Sequence, residues 1–279
     1  MTGGRSVATR EIDFVKVSPT QNMTLLVRSE HPVEEYGGIA TAIMSAGHVH
    51  AEQVGFVRKP TSPGADAGLH MAAGEFCGNA CMALAAVSAS EDGLGVTGPT
   101  DLVLESSGAE DVVRCRVERR YPDYFCEIAV PLPRRVQPWT AGAGSALVLY
   151  EDALHVVIEA DRVDQETRDR AQATALRLGE SWSVPLIGVM VYEPRRKRLT
   201  PLVHIPSLDC MVWERSCGSG TGSLGAYLAL KQRGPIATDV TQPGGTMRVT
   251  ANYEHGRLAE LRVAGSVRIV AEGKAYVHA

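Results

Sequence analysis

Two short stretches carry residue types able to do acid–base chemistry at carbon. One is Glu75-Phe76-Cys77-Gly78-Asn79-Ala80-Cys81 and the other is Glu214-Arg215-Ser216-Cys217-Gly218-Ser219-Gly220. In each, a Cys-Gly pair precedes small residues and then a long apolar run, which predicts a cysteine at the start of a buried helix. Glycine lets a ligand approach the backbone closely. The first N–H groups of a helix lack intrahelical acceptors and sit at the positive end of its dipole, so a carboxylate fits there. The same field is expected to lower the thiol pKa of Cys77 and Cys217 from about 8.5 toward neutrality. Two such turns facing each other would place a thiol on each side of one carboxylate-bearing carbon. That suits inversion of a stereocentre, in which one thiolate removes a proton from one face and the other thiol returns one to the opposite face. Helix N-termini aimed at the carboxylate would stabilise the carbanion without an organic cofactor.

Other uses of these cysteines fit less well. A zinc site built from Cys77, Cys81, Cys210 and Cys217 would need close pairs on turns, and the spacing of seven between Cys210 and Cys217 does not supply one. No metal is therefore expected. A Cys77–Cys217 disulfide would block the chemistry and reads as an oxidative liability. Cys81, Cys115, Cys126 and Cys210 read as small buried residues. No G-x-G-x-x-G follows a strand and no Walker loop is present, so neither a nicotinamide nor another cofactor is expected.

The elements that position the two turns follow a repeated order. In the first half 12–17, 23–28 and 51–60 read as strands, with 19–22 a turn and 37–49 a helix broken by glycine. Residues 64–76 lead into the first cysteine turn, 79–90 form a helix apolar nearly all round, and 102–108, 111–119 and 124–133 read as strands. The Pro/Gly-rich segment 131–144 reads as a linker. In the second half 146–150, 154–160, 187–193 and 199–206 read as strands, 164–179 as an amphipathic helix capped by Asp164, and about 220–233 as a buried helix. Strands with a turn at Glu254-His255-Gly256 close the chain. Cys77 and Cys217 lie half a chain apart, so the order reads as a duplication: two similar α/β domains, 1–134 and 135–267, facing each other across a cleft.

The 279 residues carry a net charge of −4, with 44% hydrophobic and 22% charged residues, which suits one large or two ordinary soluble domains. No basic cluster is long enough to track phosphates, and Arg195–Arg198 reads as a solvated turn, so no nucleic acid is expected. No apolar run spans a membrane and the first residues lack a secretory pattern, so no membrane partner is expected. Six cysteines are too few for a disulfide scaffold, and a cytoplasmic location is expected.

The stretches 76–86 (FCGNACMALAA), 216–229 (SCGSGTGSLGAYLA) and 242–250 (QPGGTMRVT) resemble the diaminopimelate epimerase family of cofactor-independent amino-acid racemases, in family order across nearly the whole chain. The resemblance implies two pseudo-symmetric domains, each a curled mixed sheet around a central buried helix, with the last strand, about 268–279, packing back on the first domain. It also implies a homodimer. By the same resemblance Cys77 and Cys217 are the base/acid pair, and Gly78, Asn79, Gly218 and Ser219 cradle the α-carboxylate. Glu214 and Arg215 meet the substrate's amino end, while Asn22 and Gln53 line the pocket. The chain departs from diaminopimelate epimerases where substrate is gripped. It has QNMT (21–24) in place of G-N-D-F, no Asn in 152–157 or 187–193, and a Glu-Arg-to-Cys segment shortened to ERSC. A second buried carboxylate without those partners would be costly. These features resemble the histidine racemases that supply D-histidine for staphylopine-type metallophores, with His70, His155 and Glu75 as possible neighbours of the pocket. The alternatives are diaminopimelate or another basic or polar amino acid as substrate, an isomerase of an unsaturated acid on the related fold, and a non-catalytic amino-acid binder.

Overall fold

A computed structural model of the chain describes residues 9–139 and 144–278. The first half runs β1 (Thr9–Pro19), β2 (Thr24–Val27), α1 (Tyr36–Met44), β3 (Gln53–Arg58), β4 (Ala67–Met71), α2 (Gly78–Glu91), β5 (Thr100–Ser106), β6 (Val113–Arg120) and β7 (Asp123–Ala129). The second runs β8 (Arg135–Pro138), β9 (Ser145–Leu149), β10 (Ala153–Glu159), α3 (Gln165–Ser181), β11 (Leu186–Glu193), β12 (Arg198–Ile205) and β13 (Cys210–Trp213). It continues with α4 (Gly218–Gln232), β14 (Ile236–Gln242), β15 (Gly245–Glu254) and the long β16 (Arg257–His278).

The strands form one continuous sheet in the order β1 to β7, then β16, β15, β14, β12, β11, β10, β9, β8, with β13 hydrogen-bonded beside β12. The far end of β16 also pairs with β1, from Val267 opposite Pro19 to His278 opposite Thr9, so the first eight strands close on themselves. Parallel strands need a crossover, and each parallel step here carries a helix: α1 between β2 and β3, α2 between β4 and β5, α3 between β10 and β11, α4 between β12 and β14. The outer helices α1 and α3 cover separate apolar clusters. The inner helices α2 and α4 lie within one larger cluster that runs through both halves.

A helix enclosed by a curled sheet needs small residues, because its axis must come close to strands on every side. The sequence of α2, GNACMALAAVSASE, provides them. In α4 glycines do the same: a Cβ at Gly222 would lie 3.0 Å from Val130 and 3.4 Å from Leu261. Each mid-helix glycine costs about 1 kcal/mol of helix propensity, which packing at this distance offsets.

Two expectations need correction. The segment 131–144 is not plain linker, since it contains β8, an edge strand that pairs with β9 and ends at Pro138, where a missing N–H harms no ladder. Residues 140–143 of that segment lie outside the described residues, as do residues 1–8 and Ala279. The helix expected over 37–49 stops at Met44. β13 was not foreseen because its four half-buried residues show no clear alternation.

Gly108 follows β5 with φ +66, and a Cβ there would lie 2.6 Å from the carbonyl carbon of Glu75 and 2.9 Å from Cα of Phe76, the backbone leading into Cys77. Gly64, with φ +78, has nothing within 4 Å of that position. Both Gly→Ala variants carry the left-handed strain, about 1 kcal/mol. The expected result is a lower melting temperature for Gly108→Ala than for Gly64→Ala, by roughly 2–4 °C for each additional kcal/mol of clash. Thermal denaturation of the two variants checks it, and equal melting points would remove the claim that this turn is close-packed on the cysteine segment.

Candidate active site

Cys77 and Cys217 are the N-cap residues of α2 and α4. Both have extended backbones, φ −128 and −137, and each thiol sulfur accepts from the amide three residues on: Ala80 at 3.5 Å and Gly220 at 3.3 Å. They thus occupy the place where Ser, Thr, Asp or Asn ordinarily caps a helix. The two helix tips meet. A Cβ on Gly218 would lie 3.2 Å from Cα of Gly78 and from the amide nitrogen of Asn79, and one on Gly78 would lie 3.4 Å from Cα of Gly218. Only glycine at both positions lets the positive ends of two helices approach so closely. Two converging helix N-termini make a place where an anion could be held.

Neighbouring amides fix each cysteine. The Cys77 thiol donates to Oε1 of Gln53 at 2.9 Å, and Gln53 Nε2 donates to Thr24 at 2.7 Å. The Cys217 amide donates to Oε1 of Gln242 at 2.9 Å, and Gln242 Nε2 donates to Thr221 at 2.7 Å. Asn22 and Asn79, both from the first half, donate to the carbonyl of Ser216 at 2.8 and 2.9 Å, which ties the second cysteine turn to the first half. Asn22 Nδ2 also reaches Oε1 of Glu214 at 3.3 Å.

Around the thiols lies a cavity of about 40 Å³, lined by Glu52, Gln53, Glu75, Phe76, Leu186, Val203, Ile205, Cys210, Val212 and Glu214 together with both Cys-Gly turns. Small-molecule sites usually offer roughly 300–1,000 Å³, so the site is closed and must open to admit a substrate. Among the described residues three carboxyls line it and no Lys, Arg or His does. Burial pushes the Glu214 carboxyl up to about 7, with the charges of Glu52 and Glu75 adding to the rise and hydrogen bonds from Cys217 and Asn22 opposing it. Burial also raises Glu52 and Glu75.

The thiols correct the sequence-based expectation. Burial, followed by the negative charge of Glu214, drives both Cys77 and Cys217 well above the usual thiol range. The N–H groups of Ala80 and Gly220 pull the other way, as the helix field predicts, but desolvation is the larger effect. Both cysteines therefore rest as thiols in this arrangement.

The structure brings Cys77, Cys217, Gly78, Asn79, Gly218, Ser219, Gln53 and Glu214 to this cavity, with Asn22 behind Glu214. Arg215 is elsewhere: its guanidinium is exposed and donates to Gln21. Glu75 lines the cavity; His70 does not, and instead bonds the Met71 carbonyl and packs on Tyr36. His155 is wholly buried at a second cavity of about 380 Å³ that shares Phe76, Leu186 and Ser219 with the first. Its Nδ1 lies 2.6 Å from Ser223 Oγ, and burial lowers its pKa to about 4, so it is neutral. Cys210 also departs from expectation: it is half-buried and lines the cavity, because β13 folds back over β12. Gln242 and Glu52 were not foreseen. Gln242 sat within the QPGG stretch and Glu52 beside Gln53, but only folding sets them against the two cysteine turns.

Glu214 has a folded pKa above its ordinary 4.5, so its contribution to stability is full below 4.5 and is lost as pH rises through about 7. Glu214→Gln removes that dependence. The variant is expected to gain melting temperature over wild type as pH rises across this window; a constant offset would show that Glu214 is not the buried, raised carboxyl. Alkylation of Cys77 and Cys217 in the unliganded protein is expected to be slow at neutral pH and to quicken only above about pH 9, an order of reactivity set by thiolate fraction. Fast labelling of either at neutral pH, read by peptide mass spectrometry, would overturn the neutral-thiol resting state.

Comparison with known proteins agrees with this geometry. The family described as histidine racemase CntK N-terminal domain matches residues 11–276. A histidine racemase of Staphylococcus aureus is 35% identical over 274 residues, which cover 95% of this chain and 98% of that protein. A histidine racemase of Fusobacterium nucleatum is 25% identical over 270 residues, covering 95% and 97%. Among solved structures, a hydroxyproline epimerase from Agrobacterium vitis with bound trans-4-hydroxy-L-proline has a TM-score of 0.72 at 11% identity, covering 97% of this chain and 94% of that one. A methylitaconate-delta-isomerase has a TM-score of 0.61 at 11% identity, covering 97% and 96%. At those identities the structures establish the shared α/β fold, and the sequence match establishes the family: this chain belongs to the histidine racemase CntK family and is an isomerase of the racemase and epimerase class.

Proposed function

We propose that the protein inverts the α-carbon of histidine by proton transfer between Cys77 and Cys217, without pyridoxal phosphate. The observation that carries this reading is the meeting of two thiol-capped helix N-termini at one cavity whose charged groups are all carboxyls. The substrate carboxylate lies at the amides of Gly78, Asn79, Gly218 and Ser219, which precede the first intrahelical bonds and carry both helix dipoles. The α-ammonium lies beside Glu214.

The proton accounting follows from the electrostatics. An ammonium beside Glu214 offsets the negative charge that raises Cys217. Glu214, with a pKa near 7, is matched to accept the Cys217 proton and leave a thiolate. The thiolate takes the α-proton, the electron pair passes into the carboxylate, and the two helix termini stabilise the added charge. The Cys77 thiol then gives its proton to the opposite face. Inversion in the other direction begins from the Cys77 thiolate. Closure of the cavity excludes water, which strengthens each of these interactions. The relatives named as histidine racemases support histidine as substrate, and the three carboxyls at the cavity favour a substrate that brings positive charge. The reading includes a cytoplasmic homodimer, as the resemblance to diaminopimelate epimerases implies, and light scattering at twice the chain mass checks the dimer.

Incubation of reduced protein in D₂O with L-histidine, lysine, ornithine, arginine, glutamate and diaminopimelate, followed by proton NMR and chiral chromatography, tests the substrate. Loss of the histidine α-proton signal with appearance of the D-isomer is expected; exchange on another member alone would reassign the substrate. Cys77→Ala and Cys217→Ala should each lower racemisation by about 10²-fold to 10⁴-fold with the melting curve retained. Near-normal turnover in either variant would overturn the two-thiol mechanism.

A further inference from the structure

Of the three carboxyls at the cavity, Glu75 already accepts from the amide of Ala73 at 3.1 Å through Oε2. Glu214 accepts from Asn22 through Oε1. Oε2 of Glu52 and Oε2 of Glu214 are both buried without any hydrogen-bond partner. A buried carboxylate oxygen without a donor is costly, and such a group is kept where a ligand supplies the donor. An amino acid's α-ammonium accounts for one of the two oxygens. A second donor is needed for the other.

The two orphaned carboxyls differ in their surroundings. Glu214 acts on the reacting thiol, since its negative charge is the largest influence after burial on Cys217. Glu52 has no such link. It precedes β3, it feels the charge of Arg215, and the backbone at Arg215 and Met23 stabilises its charged form. It shares the cavity with Leu186, Val203, Ile205 and Val212, an apolar wall against which a flat ring can pack. A substrate side chain leaving the α-carbon therefore meets aliphatic surface and, among it, one unsatisfied anionic acceptor.

We propose that Glu52 is the specificity-determining residue of the site: its free Oε2 accepts from an N–H of the substrate's imidazole while Glu214 takes the α-ammonium. This rests on the amino-acid racemase reading above. It assigns Glu52 to recognition of the side chain, with an influence on proton transfer only through its charge on Glu214. Amino acids with small neutral side chains leave Oε2 unsatisfied and are disfavoured for that reason.

The test compares wild type, Glu52→Gln and Glu52→Asp. Calorimetry measures binding of L-histidine and L-alanine, and D₂O exchange measures kcat and KM for histidine; melting curves establish that each variant is folded. For Glu52→Gln the expected result is a rise of about tenfold or more in Kd and KM for histidine, the loss of one charge-assisted hydrogen bond. At saturation kcat should fall by a smaller factor than KM rises, and the Kd for alanine should change by less than that for histidine. Glu52→Asp keeps the charge and should fall between. Unchanged histidine affinity in Glu52→Gln overturns the proposal. So does an equal loss for histidine and alanine, or a loss in kcat alone, since each would place Glu52 at the shared amino-acid core. Wild-type protein that binds histidine without exchanging its α-proton would overturn the racemase reading, while the histidine-to-alanine comparison would still decide Glu52. Wild-type protein that does not bind histidine would overturn both.

Discussion

Backbone contact between Gly78 and Gly218 is the constraint on which the rest depends. Two helices that would repel each other end to end are held with their positive N-termini almost touching. The sheet enforces this. Each helix is the crossover of a parallel strand pair and is enclosed by curled strands, and β16 belongs to the sheet around both. Asn22 and Asn79 add a direct polar tie by sharing the Ser216 carbonyl. In the proposed reading, a substrate carboxylate relieves the converging dipoles.

Charge at the site is arranged in two opposing layers. The helix tips present positive partial charge on one side, and Glu52, Glu75 and Glu214 present carboxyl groups to the rest of the cavity. A zwitterionic amino acid matches both layers at once. Desolvation makes this match conditional, because thiols and carboxyls are all held in their neutral direction until a cation arrives. In the proposed mechanism substrate binding creates the charged form of the base, and a neutral resting thiol is the less readily oxidised form.

The two cysteines are held differently despite the shared pattern. Cys77 bonds to a neutral amide, Gln53, whereas Cys217 faces the carboxyl of Glu214. A duplicated fold thus carries an unequal pair of thiols. The inequality gives the two directions of proton transfer different starting states, although the overall equilibrium between mirror-image isomers cannot be affected by the catalyst.

The sequence by itself determined the cysteine turns, the buried helices and the repeated order of elements. Each is a local pattern: an N-cap residue, a glycine, a run of small apolar residues, a strand bounded by turns. It also pointed to residues that line the cavity, because Cys77, Cys217, Gln53 and Glu214 lie within or beside short motifs. The tertiary structure alone decided what depends on distance between remote segments. It placed Glu52, Gln242 and Cys210 at the cysteine turns, turned Arg215 outward to Gln21, set His155 at a neighbouring cavity, and threaded β8 through a segment that reads as linker. It also reversed the expected thiol pKa shift. Local sequence reports the helix field, which is a property of one element, whereas desolvation comes from everything packed around it, and burial is the larger of the two.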